Sequence, residues 1–244
     1  MSIEKIKEII KNSNNIVFFG GAGVSTESNI PDFRSQTGLY TTKSGYSHPP
    51  EVMLSHSFFE ENPEEFFRFY KEKMIYTNAK PNSAHYSLVK LEALGKLSST
   101  ITQNIDGLHQ AAGSRNVIEL HGSVYRNYCT SCGATYDLDY TLNSTTVIPK
   151  CEKCGGIVRP DVTLYEEALN NNVIVAAILA VKNADVLIVG GTSLVVYPAA
   201  GLINYYKGNK LILINKGSTS YDRITPYIIK DSIGPTLQYL VSSL

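Results

Sequence analysis

The sequence predicts an α/β fold, a doubly wound parallel sheet interrupted by a small inserted module. Three observations carry that reading. Short apolar runs recur at 16–19, 184–191 and 210–215, and unbroken apolarity marks strands covered on both faces, not surface hairpins. Between them lie segments with a helical period, the alternation expected of a Rossmann-like sheet. Finally, all four cysteines of the chain fall in one stretch, as two CxxC pairs separated by eighteen residues.

Taken in order, residues 1–15 give an amphipathic helix with Ile3, Ile6, Ile9 and Ile10 on one side. Ile16 to Phe19 is the first strand, and it runs into Gly20, Gly21 and Gly23. Glycines after a buried strand admit backbone N–H groups close to a phosphate. The spacing is not GxGxxG, so the glycines alone fit a plain tight turn as well as a dinucleotide site. Pro31, Asp32, Phe33 and Arg34 follow and set charge and an aromatic ring beside the turn. Residues 38–50 have no period and read as a long loop, which in compact domains is usually a binding loop, a lid or a disordered segment. Residues 60–76 are helical in pattern, with Phe66, Phe67, Phe69 and Tyr70 as a broad aromatic face for the core or for a pocket wall. Residues 81–94 form another helix, begun by Pro81 and Asn82 and stopped by Gly95, with His85 as a structural histidine.

A strand at 96–102 then ends in Gln103, Asn104, Asp106 and Gly107, polar groups where open α/β sheets hold ligands. Val117 to Leu120 is a further short strand delivering His121, a titratable base or a structural histidine. Cys129, Cys132, Cys151 and Cys154 have the spacing of a structural zinc ribbon, with two disulfides as the alternative. Four thiolates fill a tetrahedron and leave no site for water, so such a zinc is structural. The chain returns through Arg159, Pro160 and Asp161 to a helix at 170–183 and a strand ending at Gly191. Thr192 and Ser193 there could donate to a phosphate or cap a helix starting near Pro198. A strand at 210–215 and a helix at 232–244 complete the main domain. It comprises 1–122 and 157–244, with a helical and loop insertion at about 38–80, and the zinc module occupies 123–156.

Lys plus Arg equals Asp plus Glu at 22 each, which offers no bulk charge to attract nucleic acid or an anionic membrane. The longest apolar run, Val173 to Val181, is too short to span a bilayer. The residues predict a cytoplasmic protein that neither enters a membrane nor binds nucleic acid directly.

With these pieces assembled, the sequence resembles the sirtuin (Sir2-type) family of NAD-dependent protein lysine deacylases, in its compact bacterial form. The resemblance rests on GAGVSTESNIPDFR at 21–34, TQNIDGLH at 102–109, HG at 121–122, the four cysteines, RPDVTLYEE at 159–167, GTSLVVYPAA at 191–200 and LILIN at 211–215. It implies that Gly21, Ala22, Ser25, Thr26, Asp32, Phe33 and Arg34 hold the diphosphate and nicotinamide ribose of NAD. Gln103, Asn104 and Asp106 would position the ribose and carboxamide, with Asn104 and His121 catalytic and His121 the general base. Gly191, Thr192 and Ser193 would meet phosphate, and Asn215 and Ile233 the adenosine end. Val162, Leu164, Tyr165, Leu194, Val195 and Tyr197 would flank an extended acyl-lysine peptide. The implied reaction is deacetylation of protein lysines with release of nicotinamide and O-acetyl-ADP-ribose, using NAD as co-substrate and one structural zinc.

Two stretches depart from the family pattern, one at Asn29 and one at 165–166. Asn29 and Glu166 stand where relatives usually have glycine, and Tyr165 where many have phenylalanine. Asparagine tolerates a left-handed backbone, so the first departure leaves the turn intact. Tyr165 and Glu166 could shift acyl or peptide preference. The family's Tyr-x-x-Arg signature for acidic acyl groups has no counterpart in Phe66 to Tyr70, which favours neutral chains such as acetyl. Competing functions on the same residues are mono-ADP-ribosyl transfer and non-enzymatic NAD sensing by a zinc-ribbon protein.

Overall fold

The computed structural model describes residues 2–41 and 45–244. Part of the loop expected over 38–50, residues 42–44, lies outside the described residues. The chain opens with α1 (Ile3–Lys11), whose buried Ile6 and Ile10 face the core. Next comes β1 (Ile16–Gly20), buried at every residue. Two short 3-10 turns, Ala22–Val24 and Thr26–Ser28, follow directly. Asn29 ends them at φ 62°, the left-handed backbone expected of it.

The segment after the long loop holds more helix than its pattern predicts: α2 (Pro50–Met53), α3 (His56–Glu61) and α4 (Pro63–Lys73). The single helix expected over 60–76 is therefore two. Pro63 supplies no N–H and biases the residue before it away from helical angles, and Asn62 sits at φ −133°, ψ 54°. The separate start of α3 is secured by Ser55, whose Oγ accepts from Phe58 N at 3.2 Å. Phe66, Phe67, Phe69 and Tyr70 are all fully buried, in one cluster with Met53, Phe58, Phe59, Val124 and Leu164.

Then come α5 (Ser83–Ala93), β2 (Leu97–Thr102), α6 (Leu108–Ala112) and β3 (Val117–Glu119). Around the inserted module come β4 (Gly122–Cys129), β5 (Thr135–Asp137), α7 (Leu138–Leu142) and β6 (Val158–Val162), so its sheet reaches past 123–156 at both ends. Its strands form an antiparallel sheet in the order β5-β4-β6. The return to the main sheet runs through α8 (Asn171–Asn183), β7 (Val186–Gly190) and a 3-10 turn at Ala199–Tyr205. It ends with β8 (Leu211–Ile214), a 3-10 turn at Ser220–Arg223, β9 (Tyr227–Ile229) and α9 (Ile233–Leu240). The short β9 and α6 carry too few residues to show a period, and neither was legible in the sequence.

All neighbours in the main sheet are parallel, in the order β3-β2-β1-β7-β8-β9. One face packs against α1, α5 and α9 through Ile10, Leu88 and Leu237, the other against α8 through Ala177 and Val181. The direction of winding reverses between β1 and β7, and crevices form at such points beyond the carboxyl ends of the strands. Both strands end there in glycine turns that interlock. Gly23 N donates to Gly191 O at 2.8 Å, and a Cβ on Gly23 would stand 2.8 Å from Gly191 Cα. No side chain fits between the two turns, which is why glycine stands in both.

Behind this crevice lie two buried histidines, His85 on α5 and His109 on α6, with ring centroids 4.7 Å apart. Burial pushes His85 down to about 4. Burial, then the neighbouring His85, pushes His109 to about 3. Both are neutral at pH 7. In the unfolded chain each titrates near 6.5, so the unfolded state takes up protons first as pH falls. Stability is full above about 6.5 and is lost from there toward about 4, by on the order of a few kcal/mol for the pair. The urea midpoint should drop between pH 6.5 and 4.5, and His109→Gln should flatten that dependence. An equally steep loss in the variant would assign it to other groups.

Candidate active site

A cavity of about 540 Å³ opens at the crevice. Its walls include the Gly21–Arg34 segment, the end of β2 with Gln103 to Asp106, His121, the 162–167 segment after β6, the Gly191 turn and the residues after β8. Apart from the 162–167 segment, which follows β6 of the antiparallel sheet, these segments converge because they leave the carboxyl ends of strands in the one parallel sheet.

The polar end is a connected network. Ser25 Oγ donates to Asp106 Oδ2 at 2.6 Å and accepts from Asn104 Nδ2 at 3.0 Å. Asp106 Oδ1 also accepts from Leu108 N at 2.9 Å, starting α6. Burial raises the Asp106 carboxyl against the lowering effect of Ser25. Gln103 Nε2 donates to Thr192 Oγ1 at 3.1 Å, joining the end of β2 to the turn after β7. Thr192 Oγ1 also accepts from Leu194 N at 3.2 Å, so it braces its own loop. It does not cap the turn at Ala199–Tyr205, which has no side-chain cap. Arg34 lies over the Tyr40 ring, 5.2 Å from its centroid.

His121 follows β3 and lies in the cavity wall. Its Nδ1 is 2.9 Å from Gln103 O. A carbonyl only accepts, so Nδ1 carries the proton and the lone pair is on Nε2. Burial lowers the His121 pKa more than this bond raises it. The ring is therefore neutral at pH 7 with a basic nitrogen at the cavity, its pKa held below that of an ordinary histidine.

The other end is apolar. Leu39, Leu54, Tyr70, Met74 and Ile105 line it. Of the aromatic face on α4 only Tyr70 reaches the cavity, and the three phenylalanines belong to the core. No sequence signal marked Leu39, Leu54 or Met74, since the loop and helices that bring them there are joined to the site only by folding. Tyr165 and Glu166 also line the cavity and tie it to the helical insertion. Tyr165 N donates to Leu54 O and His56 N to Tyr165 O, each at 3.0 Å, and the hydroxyls of Tyr40 and Tyr165 are hydrogen-bonded. Glu166 stands at φ 74°, a conformation that suits glycine, and its carboxylate accepts from Ser57 N at 2.9 Å in the first turn of α3. That bond offsets strain of about 1–2 kcal/mol. Glu167 accepts from the buried Arg159 at 2.6 and 3.1 Å, fixing the same segment to β6.

Gly21, Ala22, Ser25, Thr26, Asp32, Phe33, Arg34, Gln103, Asn104, Asp106, Gly191, Thr192, Ser193, Asn215 and Ile233 all line this cavity, as do Val162, Leu164, Tyr165 and Tyr197. Two residues read from the sequence as peptide contacts, Leu194 and Val195, are not in the cavity wall: Leu194 is buried against the α8 face, and Val195 is 54% exposed.

The four cysteines form a separate centre. Their Sγ atoms lie within 4.8 Å of one another, with Cys129–Cys154 at 3.5 Å and Cys132–Cys151 at 3.6 Å. A disulfide needs about 2.05 Å, so the thiols are unbridged. Tetrahedral thiolates around a metal at about 2.3 Å would stand about 3.8 Å apart, and this cluster matches that. Tyr136 Oη lies 3.1 Å from Cys151 Sγ, and its hydrogen bond brings that thiol down to about 6. No cysteine lines the cavity.

Comparison with known proteins bears on the cavity. The model of the Sir2 family matches residues 21–198. An NAD-dependent protein deacetylase of Clostridium tetani is 68% identical over 99% of this chain and 98% of its own. A Sir2 structure with a deacetylated p53 peptide and 3′-O-acetyl ADP-ribose superposes with TM-score 0.91 at 36% identity, covering 99% of this chain and 98% of that one. A Sir2 structure bound to a propionylated peptide gives TM-score 0.88 at 36% identity, with the same coverage.

Proposed function

This chain belongs to the Sir2 family, and we infer that its cavity takes NAD at the polar end and the acyl group of a protein lysine at the apolar end. The protein is an NAD-dependent protein deacetylase. The observation that carries the placement is His121: a neutral imidazole whose Nε2 lone pair is left free, in the wall of a cavity lined both by charged, glycine-rich segments and by apolar side chains.

The residues present fit NAD. The interlocked turns at Gly23 and Gly191 expose backbone beside Ser25, Thr26 and Arg34, where N–H groups and a guanidinium answer diphosphate charge. In our reading Asp32, Phe33, Gln103, Asn104 and Asp106 hold the nicotinamide and its ribose, Gly191, Thr192 and Ser193 the phosphates, and Asn215 and Ile233 the adenosine. NAD, when bound, would supply the glycosidic carbon that the acyl oxygen takes as nicotinamide leaves, and water would release the lysine with the acyl group kept on the ribose as O-acetyl-ADP-ribose. Asn104 is held in place by Ser25, which Asp106 fixes in turn. His121 Nε2 takes up the ribose hydroxyl proton, and Gln103 O keeps Nδ1 protonated so that the basic nitrogen stays at the cavity. Leu39, Leu54, Tyr70, Met74 and Ile105 keep water from the acyl group.

An extended peptide would lie between the 162–166 segment and the loop carrying Val195 and Tyr197, the latter 67% exposed. Leu194 supports that loop from the core side. We also assign the four-cysteine centre to one zinc, with all four positions filled by thiolate and a structural role. Thiols left free for metal fit the reducing cytoplasm, and no helix among the described residues is long and apolar enough to cross a membrane.

Incubating the protein with NAD and matched acyl-lysine peptides, with products read by mass, tests this placement. Acetyl peptide should give free lysine and O-acetyl-ADP-ribose, and mass on the protein itself would indicate ADP-ribosyl transfer instead. A carboxylate at the apolar end would lose its hydration, and Lys73 in the wall already pairs with Glu72 at 2.7 Å. Succinyl peptide should therefore be at least about tenfold poorer in kcat/KM than acetyl. Equal or better use of succinyl would remove the apolar end from the acyl role.

A further inference from the structure

The two 3-10 turns that carry Ala22, Ser25 and Thr26 are too short to hold their own shape, since a single turn makes few internal hydrogen bonds. Inside the cavity they are anchored by Gly23 N to Gly191 O at 2.8 Å and by Ser25 Oγ to Asp106 at 2.6 Å. A third anchor comes from behind. Asn82, just before α5 and outside the cavity wall, donates from Nδ2 to Val24 O at 2.8 Å and to Ser28 Oγ at 2.9 Å. We propose that Asn82 is a positioning residue for NAD, its carboxamide setting the backbone of the 22–28 turns against the cofactor.

The orientation of that carboxamide follows from its partners. Oδ1 accepts from Ala84 N at 2.9 Å and caps α5, while Asn82 N donates to His85 Nδ1 at 3.2 Å. A flipped amide would set Oδ1 against the carbonyl of Val24, acceptor on acceptor, and lose the cap as well. Asn82 thus does two separable things: its oxygen caps a helix and its nitrogen holds the turn. Both hydrogens of Nδ2 are used, one at each end of the stretch that bears Ser25 and Thr26. The residue touches neither the cavity nor the network at Asn104 and His121, so its effect should fall on NAD use and not on chemistry.

This inference rests on the placement of NAD over residues 21–34 proposed above, and Arg34→Ala tests that placement alongside it. Asn82→Ser and Asn82→Asp keep a capping oxygen and remove the nitrogen donors. Both should raise KM for NAD about tenfold, the effect of two ordinary hydrogen bonds, with kcat, KM for acetyl peptide and melting temperature close to wild type. Asn82→Ala, which also lacks the cap, should in addition melt earlier. Wild-type KM for NAD in Asn82→Ser, or a rise that appears only with the charge of Asn82→Asp, would overturn the role while Arg34→Ala stays impaired. A rise in KM that follows the melting temperature across all three variants would make Asn82 structural. Unchanged KM for NAD in Arg34→Ala would overturn the NAD placement, and this inference with it.

Discussion

His121→Ala should lose at least about 10²-fold in turnover on an acetyl-lysine peptide, the low end of what a positioned acid–base group contributes. The dissociation constant for NAD and the melting temperature should change far less. Among the described residues the His121 side chain has one hydrogen-bond partner, Gln103 O at Nδ1, and the groups proposed for phosphate lie on other segments. The pH dependence follows from the lowered pKa of the ring. The neutral form is active, so the rate is at its plateau at pH 7 and falls on acidification, with a midpoint below the ordinary 6.5. Near-normal deacetylation by the alanine variant would take His121 out of the mechanism. A parallel collapse of rate, NAD affinity and melting temperature would make it a structural histidine.

A second large effect is expected at the four-cysteine centre. Cys129→Ala with Cys132→Ala should abolish zinc binding and loosen the inserted module, because structural zinc contributes roughly 10–16 kcal/mol in small modules, more than their packing. The core of the module among the described residues is small, with Cys129, Cys151 and Val158 buried at its centre. Activity should fall with the metal, although no cysteine lines the cavity. Strand β4 begins at Gly122, adjacent to His121, and Gly122 pairs with Val162 at the end of β6. Thr163 N then donates to His121 O at 3.0 Å. Gly122 also stands at φ 78°, where an added Cβ would lie 1.9 Å from Asp161 O, so the module approaches the base as closely as backbone can. Metal analysis of wild type and double variant, with hydrogen exchange over 122–162, checks this. Zinc retained in the double variant, or absent from the wild type, would end the assignment.

The two effects differ in how early they could be read. The cysteines were legible as a metal centre from spacing alone, because a CxxC turn brings two thiols together whatever surrounds it. The spacing left metal or disulfides open, and the Sγ separations of 3.5 and 3.6 Å leave the thiols unbridged and close enough to share one metal. His121 was legible as a strand-end histidine but not as a base with a defined tautomer. That depends on Gln103 O, eighteen residues away and on another strand.

The sequence by itself determined whatever depends on neighbours along the chain. Apolar runs specified β1, β7 and β8, glycines specified the turns that end them, and helical periods specified α1, α5 and α8. Asn29 could be placed in a left-handed turn from its side-chain chemistry alone. The tertiary structure decided what depends on partners distant in sequence. Periodicity made residues 60–76 one helix, but Pro63 and the Ser55 cap made two, and packing turned Phe66, Phe67 and Phe69 into core while leaving Tyr70 at the cavity. Glu166 could be noted as a departure from glycine, but its bond to Ser57, 109 residues earlier, exists only in the fold. The same holds for Asn82, which reads as a helix start in sequence and grips a turn more than fifty residues away along the chain. Local pattern reports backbone conformation and burial, which neighbouring residues largely set. The direction of a hydrogen bond between segments is set only when the sheet has closed and fixed which strand edges meet.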